Sequence, residues 1–127
     1  MNLPRKRILV IEDSEFICAV LKNELAAHGF EVSAVHDGRK GLLRARRRGF
    51  DLIILDLILP ELPGEEVCRQ LKKDARTEKI PILMLTGKGT DADRVLGRVI
   101  GADAYIPKPF DPAHLVKTVS ALVEKAY

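Results

Sequence analysis

The sequence lacks long apolar runs. No apolar run approaches the roughly 20 residues that a spanning helix needs. In the opening stretch MNLPRKRILVIEDSE, four apolar residues follow the basic cluster before two acids intervene. That is too short for the apolar core of a secretion signal, so a cytoplasmic chain is expected. Cysteine is scarce. Cys18 and Cys68 stand far apart inside helical patterns, without the spacing of a disulfide or a metal site. They read as reduced thiols packed as small apolar groups. Aromatic residues are only 5% of the chain, and none interleaves with the densest basic run, Arg44 to Arg48. Base stacking therefore has no support, and the run reads as a solvated helix end whose cations suit the helix dipole. There is no low-complexity tract, internal repeat or linker.

What is present is an ordinary globular composition. Of 127 residues, 46% are apolar and 31% charged, enough for one domain with a real core. The formal charge of +3 permits acidic partners without demonstrating any. Short apolar runs alternate with amphipathic stretches. RILVI (7–11), EVSAV (31–35), DLIILD (51–56), IPILMLT (80–86) and AYIPK (104–108) read as strands. Residues 15–28, 39–48, 64–73 and 112–125 read as helices, and a further helix starts at a capping box, Thr90 and Asp93. Gly29 is expected as a left-handed cap of the first helix. Five strands alternating with five helices imply an α/β fold with a parallel sheet covered on both faces. The first, third and fourth strands are the most continuously apolar and should be central. The second and fifth are mixed and should be edges. That is the flavodoxin-like order 2-1-3-4-5. With the last helix ending at the chain's end, a single domain over 1–127 without a separate output domain is expected.

In such a sheet ligands bind beyond the carboxyl ends of the strands. The polar residues that look out of place all fall there: Glu12 and Asp13 after the first strand, Asp56 after the third, Thr86 after the fourth, Lys108 after the fifth. Three crowded carboxylates repel one another, and a hard divalent cation such as Mg²⁺ relieves that. A carboxylate can attack phosphorus to give an aspartyl phosphate. Lys108 and the Thr86 hydroxyl are suited to neutralise and hydrogen-bond phosphoryl oxygens, and Gly87 leaves room beside them. Singly each feature has a bland counterpart: a helix cap, a turn aspartate, a strand threonine, a surface lysine. Their joint placement at one edge is what departs from that.

The stretches ILVIEDS, DLIILDLILPELPGEEV, ILMLTGKG and GADAYIPKPF together resemble the receiver domain of two-component response regulators, the CheY-like family. The resemblance covers nearly the whole chain. It implies that Asp56 is the phospho-acceptor, and that Asp13, Asp56 and the Ile58 backbone carbonyl bind Mg²⁺ with Glu12 acting mainly through water. It implies that Thr86 and Lys108 read the phosphoryl group, that the Lys108–Pro109 bond is cis, and that Tyr105 rotates inward as Thr86 moves. A half-buried edge-strand tyrosine without such a role is the alternative for Tyr105. The implied activity is a switch, not turnover of a separate substrate. The implied partners are a histidine kinase or phosphotransfer protein and a downstream protein bound through the face of the fourth helix, fifth strand and fifth helix. A membrane is not an expected partner, nor is nucleic acid for this chain itself. Ala104 and Thr118 stand where dimerising relatives often carry Asp and Arg, so any homodimer should be weak. Leu59, Pro63 and Gly87 also depart from common family residues, and Ile58 and Lys88 occupy positions that tune phosphate lifetime. Two rivals are a partner-docking module that works without phosphorylation and an aspartyl phosphatase. The phosphatase class needs a D-x-D pattern on its first strand, which IEDSE lacks. A flavin reading fits the sheet order, but the acids would repel a flavin phosphate.

Overall fold

The computed structural model describes residues 5–47, 49–87 and 101–125. Its elements are β1 (Arg7–Ile11), α1 (Glu15–Ala27), β2 (Glu31–Val35), α2 (Gly38–Arg47), β3 (Leu52–Asp56), α3 (Gly64–Lys73), β4 (Ile82–Thr86), β5 (Ala104–Pro107) and α4 (Pro112–Lys125). The helix expected from Thr90, with Val95, Leu96, Val99 and Ile100 facing inward, lies outside the described residues. All five strands are parallel and lie in the order β2-β1-β3-β4-β5. Strands β3 and β4 are buried at every residue, whereas β2 and β5 are mostly half-buried, as befits edges.

The pleat sends alternate side chains to opposite faces. Leu9, Ile11, Ile53, Leu55, Ile82 and Met84 meet α2 and α3 on one face. Ile8, Val10, Leu52, Ile54, Leu83 and Leu85 meet α1 and α4 on the other. On α4 the stripe Leu115, Val116, Val119 and Val123 recurs every three or four residues and is buried throughout. Two apolar layers thus clamp the sheet and hold its carboxyl-end loops in one place. The expected thiols are there as well: Cys18 and Cys68 are buried and not joined in a disulfide, one in each layer.

Element ends have local causes. Ser14 caps α1, its Oγ accepting from the Ile17 N–H at 3.2 Å. At the other end Gly29 takes φ +89°, with its N–H bonded to the Ala26 carbonyl and the Phe30 N–H to the Leu25 carbonyl. That is a Schellman termination, and it ends α1 one residue before the expected His28. β4 begins at Ile82 and not Ile80, because the Ile80 N–H turns back to the Thr77 carbonyl and Pro81 has no N–H to give. The basic run at the end of α2 is partly engaged: Arg46 reaches Asp74 at 3.0 Å, while Arg44 and Arg47 are exposed.

Candidate functional site

Each suspected residue is delivered by the end of a strand. Glu12 and Asp13 follow β1, and the Glu12 N–H still pairs with the Val35 carbonyl of β2. The Glu12 side chain then bends toward α1, where its Oε2 accepts from the Ser14 N–H at 3.0 Å. Asp56 is the last residue of β3, and Thr86 the last of β4. Lys108 follows β5, donating its backbone N–H to the Thr86 carbonyl at 2.7 Å, and the Lys108–Pro109 bond is cis.

These side chains converge. The Lys108 ammonium lies 2.7 Å from Glu12 Oε1 and 3.0 Å from Asp56 Oδ2. Glu12, Asp13 and Asp56 each offer a carboxylate oxygen, all within 4.8 Å of one another. Glu12, Asp56 and Thr86 are buried, and Asp13 is exposed at the mouth. Burial pushes the Glu12 carboxyl upward, and the Asp56 charge adds to that; the Lys108 and Ser14 hydrogen bonds pull against it. Burial alone would lower the Lys108 ammonium, but its bonds to Glu12 and Asp56 outweigh it and raise the group. Lys108 is therefore a fixed positive charge. Two buried acids and one at the rim exceed what a single ammonium neutralises.

Among the described residues one buried oxygen, Thr86 Oγ1, has no hydrogen-bond partner, whereas Glu12 Oε1 is met by the Lys108 ammonium at 2.7 Å. Buried polar atoms without partners are costly, and such atoms point to a ligand or ion. The carboxylate set fits a hard divalent cation, which prefers oxygen donors, few carboxylates and several waters. The Thr86 hydroxyl is suited to donate to an added anionic oxygen.

The loop after Asp56 is held by backbone contacts. The Leu57 N–H bonds to the Leu85 carbonyl, and the Gly64 N–H to the Leu57 carbonyl. The Ile58 N–H approaches Asp56 Oδ1 at 3.3 Å, placing Ile58 beside that carboxylate with an exposed side chain. Pro63 precedes α3 with φ −58°, and Glu61 is in the left-handed region at φ 70°. A Cβ on Gly64 would run into the Asp56 carbonyl oxygen and lie 2.8 Å from Leu57 Cα. Gly64 is thus the residue that lets α3 start directly against Asp56.

A family model described as "Response regulator receiver domain" matches residues 8–120. The chain belongs to that family. The receiver is 41% identical over 120 residues to the phosphate regulon transcriptional regulatory protein PhoB of Rhizobium meliloti, covering 94% of this chain and 53% of that protein. It is 41% identical over 121 residues to the alkaline phosphatase synthesis transcriptional regulatory protein PhoP of Bacillus subtilis, covering 95% and 50%. The chain spans about half the length of the curated relatives it matches. Among solved structures, the chemotaxis response regulator CheY4 of Vibrio cholerae is 31% identical with a TM-score of 0.88, over 94% of this chain and 99% of that one. The receiver domain of sensor histidine kinase PA1611 from Pseudomonas aeruginosa, with a magnesium ion coordinated in its active site cleft, is 28% identical with a TM-score of 0.89, over 95% and 99%. Receiver domains are signalling switches that work with histidine kinases or phosphotransfer proteins.

Of the residues singled out in the sequence, the receiver gathers Glu12, Asp13, Asp56, Thr86 and Lys108 at one sheet edge. Tyr105 is half-buried on β5 against the layer formed by α2 and α3. Lys88 lies outside the described residues. Missed in the sequence were Gly64, whose role is a close backbone approach, and the strained Glu61. A cleft of about 430 Å³ beside Lys108, lined by Phe16, Ile17, Val20 and Phe110, was also missed. Phe16 sits there 78% exposed, on a helix face that reads as core by periodicity alone. Among the described residues no helix is long and apolar enough to cross a membrane.

Proposed function

We propose that the chain is a phosphorylation switch acting in the cytoplasm, with Asp56 as acceptor and a histidine kinase or phosphotransfer protein as donor. The observation that carries this reading is the 3.0 Å contact of the Lys108 ammonium with Asp56, at the same sheet edge where the buried Thr86 hydroxyl has no partner among the described residues. An Asp56 carboxylate oxygen attacks phosphorus as the phosphorus–nitrogen bond to the donor imidazole breaks, and the imidazole takes up a proton. Lys108 holds positive charge at the acceptor, where charge neutralisation is most of what phosphoryl transfer requires. Glu12, Asp13, Asp56 and the Ile58 carbonyl would hold Mg²⁺. When bound, the ion supplies charge neutralisation at the phosphoryl oxygens. The exposed apolar cleft around Phe16 beside Lys108 supports docking of the donor there.

After transfer, the new phosphoryl oxygens give Thr86 Oγ1 an acceptor. Movement of Thr86 draws Tyr105 inward and biases two pre-existing states of the face formed by β5, α4 and the helix expected from Thr90, to which a downstream protein binds. Residues 1–127 act as one receiver unit, and autodephosphorylation resets it. Intact-mass measurement after incubation with a small phosphodonor and Mg²⁺ tests this. Wild-type protein should gain one phosphoryl group, and chelation or Asp56→Asn should prevent it. A wild-type chain left unmodified under conditions that label a control receiver defeats the reading.

A further inference from the structure

Behind the acidic pair lies a second convergence that the phosphorylation chemistry does not use. Cys18 on α1 and His36 after β2 both reach the backbone carbonyl of Glu12. Cys18 Sγ is 3.3 Å from that oxygen, His36 Nδ1 is 3.1 Å from it, and sulfur and nitrogen are 3.8 Å apart. The geometry points to a binding site for a thiophilic divalent cation of the zinc class, ligated by Cys18 Sγ, His36 Nδ1 and the Glu12 carbonyl oxygen.

The dimensions fit. A point ~2 Å from all three atoms exists in the plane of this triangle, and a small rise out of the plane lengthens each distance toward the about 2.0–2.3 Å of zinc bonds to imidazole and thiolate. The exposed His36 edge admits the ion from solvent, and water completes the coordination. Binding breaks the S–H bond, gives the sulfur lone pair to the metal and releases the proton to solvent. In the contact with the Glu12 carbonyl the His36 Nδ1–H is the donor, so binding moves the ring proton to Nε2 through solvent and frees the Nδ1 lone pair for the metal. No electron transfer is involved. The same thiol is ill-suited to covalent chemistry, because burial, with help from the Glu12 charge, pushes it up to about 11. Softness separates this site from the carboxylate pocket. Thiolate and imidazole select zinc-like ions, whereas three carboxylates select hard ones. Glu12 belongs to both, through its backbone here and its side chain there, so an ion at Cys18 fixes the peptide that presents the acidic pair.

The test uses the full chain in excess Mg²⁺, with Cd²⁺ as the probe. A thiolate-to-cadmium charge-transfer band should rise to one equivalent, and Zn²⁺ should remove it by competition. Cys18→Ser should abolish the band, and His36→Gln, at an exposed position that leaves folding intact, should weaken Cd²⁺ binding at least about tenfold. Cys68→Ser should change nothing. Absence of the band, its survival in Cys18→Ser, its loss in Cys68→Ser, or unchanged affinity in His36→Gln overturns the site. Phosphodonor labelling of Asp56 in the same samples is a separate readout, so failure here is distinguishable from failure of the switch.

Discussion

Removing the Lys108 ammonium should destabilise the fold, and removing the charge it faces should undo much of that loss. Lys108→Met keeps the stem and deletes the only cation within 4 Å of Glu12 and Asp56 among the described residues. Glu12 has no exposed surface and Asp56 only 4%. Breaking a buried pair by deleting one partner costs about 3–5 kcal/mol. The Lys108 side chain is 19% exposed, which places the loss near the lower end, ~3 kcal/mol. For a domain of this size that is a fall in Tm of roughly 10 °C, read in a chelator at pH 8. Glu12 binds protons more tightly folded than unfolded, so stability falls as pH rises from the ordinary glutamate value through its raised value. Without Lys108 the shift grows, so the loss should be largest at pH 8 and shrink toward pH 5 as Glu12 takes a proton. Adding Glu12→Gln to Lys108→Met should recover more than half of the lost stability at pH 8. A double variant as unstable as the single one, or a single variant within about 1 kcal/mol of wild type at every pH, refutes the stranded-charge explanation.

Gly64→Ala should cost about 1–3 kcal/mol in urea unfolding and slow phosphodonor labelling, because the new methyl displaces the backbone of Asp56 and Leu57. Thr77→Val should cost about 1–2 kcal/mol, since the buried Thr77 hydroxyl donates to the Leu71 carbonyl at 2.7 Å where α3 ends; Thr77→Ser should stay near wild type. Burial pushes the Cys18 and Cys68 thiols up to about 11, so both should resist a bulky thiol reagent at pH 8 in the folded chain and react at once in urea. Thr86→Ala should still be labelled on Asp56 yet lose any phosphorylation-dependent partner binding, as read by pull-down with and without beryllofluoride.

The sheet was legible because its evidence is periodic. Runs such as LIILD and ILMLT have no polar face, and only a central strand covered on both sides tolerates that. Asp56, Thr86 and Lys108 were legible because a charge or hydroxyl at the end of such a run is conspicuous, and strand order sends all those ends to one edge. The cis Lys108–Pro109 bond was implied by the family resemblance and is present. What stayed hidden depends on tertiary contact. Nothing local distinguishes Gly64 from any glycine at a helix start; its reason is the Asp56 carbonyl beside it. Cys18 and His36 carry no metal-binding spacing, since the fold and not the sequence brings 12, 18 and 36 together. Phe16 belongs to the apolar pattern of α1 but faces outward at the cleft, so periodicity misplaces it.

The most direct measurement is chemical location of the phosphoryl group. Borohydride reduces an acyl phosphate to the alcohol, leaving homoserine where the aspartyl phosphate stood, and peptide sequencing by mass spectrometry reads its position. Homoserine at position 56, dependent on Mg²⁺ and on the phosphodonor, is the predicted result. Homoserine at another acid, or phosphate retained on His28, His36 or His114 with position 56 unreduced, contradicts the account.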